Sequence, residues 1–115
     1  MLTTHENVTH QLNDELRQID ERLATYGRSL IGAPYVVRLF PGMYLVPDAG
    51  GYRAAGITDG VMMYSAEGAA RAVAHCRTSY PLEMAKCCAV HINDALRAER
   101  AAVVALLDML EGAAA

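Results

Sequence analysis

The apolar residues of this chain change their spacing near residue 27, and that change limits the folds open to it. Up to that point they recur every three or four positions, at Val8, Leu12, Leu16, Ile19, Leu23 and Tyr26. This spacing predicts an amphipathic helix over residues 4–26. Between Gly32 and Tyr64, short β-branched and aromatic runs alternate with Pro and Gly, as in a small antiparallel sheet.

Four strands are predicted from these short runs. The first two, 35–40 and 43–46, flank Pro41-Gly42, a pair suited to the centre of a type II turn. Runs at 52–57 and 61–64 follow turns rich in Gly and Asp, and the first of these is the more Ala- and Gly-rich. The middle of the chain therefore predicts a sheet of three to four strands.

Two helices are predicted after the sheet. Ser65 is a suitable N-cap for a short helix from 66 to about 77, and Pro81 opens a second helix that runs to Glu111 unless it breaks at Asn93-Asp94. One side of this long helix is apolar: Ala85, Cys88, Ala89, Ile92, Leu96, Val103, Leu106, Leu107 and Leu110. We expect an α+β fold with an N-terminal helix, the sheet, and two C-terminal helices packed on one face of it.

Composition predicts one globular domain over residues 1–115, with residues 1–3 and 112–115 as frayed ends. Hydrophobic residues make up 53% of the chain, which excludes a disordered protein. The formal net charge of -3 leaves no surplus to hold phosphates, so direct nucleic-acid binding is not expected. The N-terminus does not resemble a signal peptide, and the longest apolar run, 101–107, is too short for a membrane span; we expect a cytoplasmic protein.

Few residues have the spacing of a metal or catalytic site. Cys87 and His91 are four residues apart, and His75 and Cys76 end the preceding predicted helix, which resembles a zinc site only loosely. The simpler interpretation makes Cys88 a core residue and leaves Cys87 and His91 half-exposed on a helix. Because no phosphate-binding loop, nucleophile elbow or zinc-protease motif is present, we predict no enzyme activity, no cofactor and no metal.

Glu99 falls within the apolar stripe of the last predicted helix. A buried carboxylate without a partner is costly, so we expect it to lie at the helix edge or to pair with Arg17 or Arg22. A catalytic acid and a contact with another subunit are the alternatives.

Aromatic and basic residues of the predicted strands also suggest a second kind of site. Such residues could stack on single-stranded bases, although they are also ordinary strand residues. They are Tyr35, Tyr44, Tyr52, Tyr64, Arg38 and Arg53.

The outer side of the first helix is acidic, and it is the predicted partner-binding surface. A surface of this kind is usually only solvated, but it can also dock on a basic protein that handles nucleic acid. The predicted contact residues are Glu6, Asp14, Asp20 and Glu21.

Residues 44–74 carry a resemblance. Tyr44-Leu45-Val46, followed by Val61-Met62-Met63-Tyr64 and the Ser-x-Glu-x-Ala-Ala start of a helix at Ser65, resembles small accessory proteins of phages and mobile elements. The resemblance implies a non-enzymatic inhibitor of the anti-CRISPR type, which binds a host protein or ribonucleoprotein complex. The alternative is a self-associating structural or accessory protein, in which the apolar stripe of the last helix forms a homodimer interface.

Overall fold

The computed structural model describes residues 4–26, 32–49, 51–58 and 62–114, and within these ranges the chain forms three helices and four strands. Their bounds are α1 (Thr4–Tyr26), β1 (Tyr35–Phe40), β2 (Met43–Asp48), β3 (Gly51–Ala55), α2 (Ala66–Ser79), β4 (Cys88–His91) and α3 (Ile92–Ala114). The predicted first helix is confirmed. The α+β class, with an N-terminal helix, a small antiparallel sheet and two C-terminal helices, is also confirmed.

The strands form one antiparallel sheet in the order β3-β2-β1-β4. The β1–β2 hairpin turns at Pro41-Gly42, where Gly42 has a φ of 83°, the positive value that the third residue of a type II turn requires. The register of β1 shifts between Arg38 and Phe40, so the hairpin contains a bulge just before its turn.

Both faces of the central strands are buried. Val36 and Tyr44 lie in a core cluster with residues of α1 and α3, whereas Val37 and Leu45 lie in a second cluster with residues of α2. Successive residues of a strand point to opposite faces, so α2 covers one face of the sheet and the α1–α3 pair covers the other. This placement differs from the predicted one, in which both C-terminal helices share a face; β1 is apolar on both sides and needs cover on both.

The long helix predicted from residue 81 to 111 is wrong in its first third. Residues 81–86 form turns, and Cys88–His91 form β4, which pairs with β1. Without β4, β1 would be an edge strand although its residues Val36 and Val37 are fully buried. Pairing with β1 therefore overrides the local preference of the segment around Ala89 for helix. The helix begins immediately before the predicted break at Asn93-Asp94 and continues to Ala114.

The predicted fourth strand over 61–64 is also wrong for its described residues. Only Tyr64 pairs with the sheet there, in an isolated bridge whose two backbone N–H···O bonds to Tyr35 measure 3.0 and 2.7 Å. Residue 61 lies outside the described part of the chain. The strand predicted over 52–57 is shorter in the structure, where β3 ends at Ala55.

The apolar stripe of the last helix is buried only in part. Ile92, Leu96 and Val103 lie in the core cluster with α1, as predicted. Ala85 and Ala89 precede the helix and are exposed, and Leu106 is exposed near its far end. The predicted stripe therefore serves this chain's own core from Ile92 to Leu107, and Leu107 is only partly buried.

Candidate protein-binding surfaces

The acidic residues predicted to bind a partner are exposed along α1, and Asp14, Asp20 and Glu21 form ion pairs. Arg17 lies between Asp14 and Glu21. Its Nη2 atom is 2.7 Å from the Asp14 carboxylate, and its Nη1 atom is 2.7 Å from that of Glu21. Asp20 accepts a bond of 2.8 Å from Arg100 of α3. Glu6 is exposed in the first turn of α1, where a negative charge interacts favourably with the helix dipole. The side that looks acidic in sequence is therefore a mixed-charge surface.

Hydrogen bonds lower the pKa of the Asp14 carboxylate. Its hydrogen bonds with Arg17 and with the side-chain amide of Gln18 hold its pKa below the usual value. The same bonds, to Asp14 first and then to Glu21, raise the pKa of Arg17. All of these groups are at the surface, where salt and solvent screen such pairs, so their contribution to stability is small.

The cysteines and histidines are spread over separate structural roles. Cys87 is fully buried before β4, where its thiol faces the backbone oxygen of Val73 at 3.8 Å; the prediction that it is half-exposed on a helix is wrong. Cys88 is half-buried in β4 and faces Arg38, with 3.7 Å between guanidinium nitrogen and sulfur. The His91 ring nitrogen accepts the Asn93 backbone N–H at 3.1 Å and so caps α3. Among the described residues no three His, Cys, Asp or Glu side chains converge as metal ligands.

Glu99 is satisfied by a partner that the sequence did not indicate. The hydroxyl of Tyr44, a fully buried residue of β2, donates to a carboxylate oxygen of Glu99 at 3.0 Å. Arg17 bonds Asp14 and Glu21, and Arg22 donates to the backbone oxygen of Thr58. The expected pair with Arg17 or Arg22 is therefore replaced by a bond between the sheet and α3.

Burial raises the pKa values of two tyrosines and one cysteine. The pKa of Tyr44 is raised far above its usual value by burial first and then by the neighbouring Glu99 carboxylate. Burial also raises the pKa of Tyr64 and of the Cys76 thiol, each with a smaller effect from nearby groups. The phenol of Tyr64 has no hydrogen-bond partner among the described residues, which fits its preference for the neutral form.

We expect the free energy of unfolding to fall as the pH rises above about 9. In the unfolded chain these groups have their ordinary pKa values, 9.0 for the Cys76 thiol and 10.0 for the tyrosine phenols. In the folded chain they keep their protons to higher pH. The stabilising contribution is therefore complete below the unfolded pKa values and is lost as pH rises towards the folded ones. Urea unfolding measured between pH 7 and pH 11 checks this.

Two tyrosine variants sharpen the pH test. Tyr44→Phe should flatten the decline above pH 10, and Tyr52→Phe, which removes a hydroxyl from a ring that is 58% exposed, is the matched control. Equal slopes in the two variants would contradict the assignment of the decline to Tyr44.

The strand tyrosines do not form one platform. Tyr44 lies in the core between the sheet and the α1–α3 pair, whereas Tyr64 packs against the cluster beside α2. The Tyr35 ring lies edge-on to His91, with the ring centroids 5.8 Å apart. Successive bases of one strand could not stack on all of them.

An open groove lies on the α2 face of the sheet, and we call it the α2 groove. α2 packs over β1 and β4 and lies in one cluster with buried Leu45 of β2, whereas Tyr52 of β3 on the same face is 58% exposed. The groove consists of two adjoining cavities of about 450 and 260 Å³. Its floor and walls include Leu45, Tyr52, Ala54, Ala72, His75 and Cys76.

Large apolar side chains stand exposed around the α2 groove. Phe40, Tyr52 and Tyr80 line it and are 43%, 58% and 59% exposed. Leu82, two residues beyond Tyr80, is 89% exposed. Exposed aromatic residues grouped around a concave apolar surface are typical of protein-binding sites.

The sequence contains a signal for this groove that our sequence analysis did not use. Gly68, Ala72 and Cys76 are small residues four positions apart on α2, and Ala54 is small on the facing strand. Small residues on both sides leave space between a helix and a sheet. The signal becomes specific only when the strand order places β2 and β3 beside α2, which the sequence alone did not show.

No helix in the described ranges combines the length and apolarity needed to cross a membrane. Comparison with known proteins identified no matching family model, no similar curated protein and no similar solved structure.

Proposed function

We propose that this chain is a non-enzymatic, cytoplasmic protein-binding inhibitor, encoded by a phage or mobile element, that blocks a host defence nucleoprotein complex such as CRISPR–Cas. The observation that carries the binding function is the group of exposed aromatic side chains, Phe40, Tyr52 and Tyr80, around the α2 groove. The class of target rests on the resemblance of residues 44–74 to small accessory proteins of phages and mobile elements.

The proposed inhibition is tested by plaque counts. The protein is expressed in a panel of strains, each carrying one defence system that blocks a targeted phage. We expect plaquing of the targeted phage to recover in at least one strain, with no change for an untargeted phage or in the same strain lacking the system. Unchanged plaque counts across the CRISPR–Cas types tested would contradict the proposed target.

The acidic residues of α1 are the second proposed contact. We expect Asp14→Lys combined with Glu21→Lys to weaken inhibition while the thermal midpoint stays nearly unchanged, because both carboxylates are exposed and their pairs with Arg17 are screened. Plaque counts and thermal unfolding of the purified variant measure the two effects.

A matched variant on α3 controls for net charge. Asp94→Lys combined with Asp108→Lys makes the same change at two exposed carboxylates of another helix. Equal inhibition by the two double variants would remove the α1 residues from the contact.

Self-association is the alternative function, and exposed apolar residues near the free end of the α1–α3 pair favour it. Val8, Leu106 and Met109 are 39%, 47% and 70% exposed, and the His5 ring nitrogen lies 3.0 Å from the backbone oxygen of Leu110, which places the two helix ends together. Size-exclusion chromatography with light scattering decides between the two functions. A monomer at micromolar concentration excludes a stable homodimer.

A further inference from the structure

We infer that the α2 groove binds an amphipathic helix of a partner protein, with acidic residues along the flank that faces α2. The inference rests on the proposed function, because it names the part of the partner that the protein recognises. It follows from three features of the groove: the space beside α2, the small residues along α2, and the charge of the groove.

The space is that of a second helix on the sheet. On the opposite face two helices, α1 and α3, share the cover of the sheet, and Tyr44, Val46 and Ala55 of β2 and β3 are buried. On the α2 face of the same two strands Leu45 is buried and Ala54 is half-buried, but Tyr52 is 58% exposed. One helix more on this face would match the cover of the other face and would bury the exposed aromatic ring.

The side of α2 that faces this space suits close packing with a helix. Gly68, Ala72 and Cys76 line the groove at four-residue intervals, which puts them on one side of the helix. Small residues in such a row leave room beside α2, and the Tyr64 side chain at Gly68 and the buried Cys76 form the bottom of that space. A partner helix of about 12 residues would span the face, because its length equals that of a β-strand of five or six residues, as in β2 and β3.

The charge of the groove selects an acidic flank. Arg71 and His75, one turn apart on α2, line it, and none of the described residues that line it is Asp or Glu. Arg71 makes no ion pair within the described part of the chain, and the nearest carboxylate on its own helix, Glu67, does not line the groove. Acidic residues on the partner helix would therefore meet the unpaired guanidinium of Arg71.

A displayed peptide library tests the inference with the full-length protein. The library has a helical scaffold of about 16 residues with random apolar and charged positions, and a second library of equal size has an extended scaffold. We expect the helical library to be enriched, with an apolar stripe flanked by Glu or Asp. The dissociation constants of selected peptides are then measured by fluorescence anisotropy.

Two groove variants and one control locate the binding. We expect Arg71→Glu and Tyr52→Ser each to raise the dissociation constants of the selected peptides about tenfold or more, because both side chains line the groove. Arg97→Glu makes the same charge change on exposed α3 and should leave the affinity unchanged. Thermal unfolding of each variant confirms that the protein remains folded.

Several results would overturn the inference. These are enrichment of extended or basic peptides, absence of enrichment in the helical library, and equal affinities for Arg71→Glu and Arg97→Glu. Dimerisation of the wild-type protein that Arg71→Glu abolishes would instead assign the groove to a second copy of this chain.

The plaque assay separates this inference from the proposed function. If the wild-type protein inhibits the defence system and the Arg71→Glu and Tyr52→Ser variants inhibit it equally well, the inhibitor function is retained and the groove is rejected as its contact. If acidic helical peptides bind the groove but the wild-type protein does not change the plaque counts, the groove remains a binding site and the defence target is rejected.

Discussion

Replacing Leu96 by alanine should lower the free energy of unfolding by about 2 to 5 kcal/mol. Leu96 is fully buried in the core cluster that α3 forms with α1 and the sheet, where Ile19 and Val36 belong to the same cluster. The surrounding side chains come from three elements, so the space left by the lost methyl groups cannot close without moving a helix or a strand. Urea unfolding at neutral pH measures the loss.

Leu82→Ala is the matched control, since it removes the same atoms from a residue that is 89% exposed. We expect a change within about 0.5 kcal/mol for this variant, as for most surface substitutions. A cost below about 1 kcal/mol for Leu96→Ala would contradict the packing of α3 between α1 and the sheet.

Leu96 also shows which parts of the fold were predictable from sequence. Its burial follows from apolar spacing within one helix, and the same local spacing predicts α1. The β1–β2 hairpin is equally local, since Pro41-Gly42 favours the turn that the structure contains. These two helices and the hairpin were therefore predicted correctly from signals that lie within a few neighbouring residues.

The segment before α3 was mispredicted because its structure depends on distant residues. Ala89 and Val90 form a strand only because Val36 and Val37 of β1, more than 50 positions earlier, offer an unpaired edge. The adjacent valines of β1 do contain a hint of burial on both faces, since a strand with one wet face usually alternates. That hint would have placed helices on both faces of the sheet.

The candidate surfaces show the same division between local and distant signals. The pairs of Arg17 with Asp14 and Glu21 follow from helical spacing of three and four residues. Asp20 and Arg100 are 80 positions apart, and their ion pair depends on how α1 and α3 pack. The α2 groove likewise needs the strand order, so only its small residues on α2 are visible in sequence.

The contact between Tyr44 and Glu99 is a distant pairing of this kind, and breaking it should be costly. We expect Tyr44→Phe to lower the free energy of unfolding by about 1.5 to 3 kcal/mol, the range for a hydrogen bond to a charged group. The hydroxyl belongs to a fully buried residue, and its removal takes away the hydrogen-bond donor of the half-buried Glu99 carboxylate. Chemical unfolding at pH 7 measures the cost, and Tyr52→Phe at an exposed ring controls for loss of a hydroxyl.

A double-mutant cycle shows whether the two side chains act together. Because their side chains share a hydrogen bond of 3.0 Å, Tyr44→Phe and Glu99→Ala should cost less in combination than the sum of the single costs, by about 0.5 kcal/mol or more. Additive costs would mean that Tyr44 contributes by packing alone. Coupling of Glu99 to Arg17 or Arg22 instead would restore the pairing expected from sequence and would require α3 to sit differently on the sheet, because the observed position of Glu99 is fixed by its bond to β2.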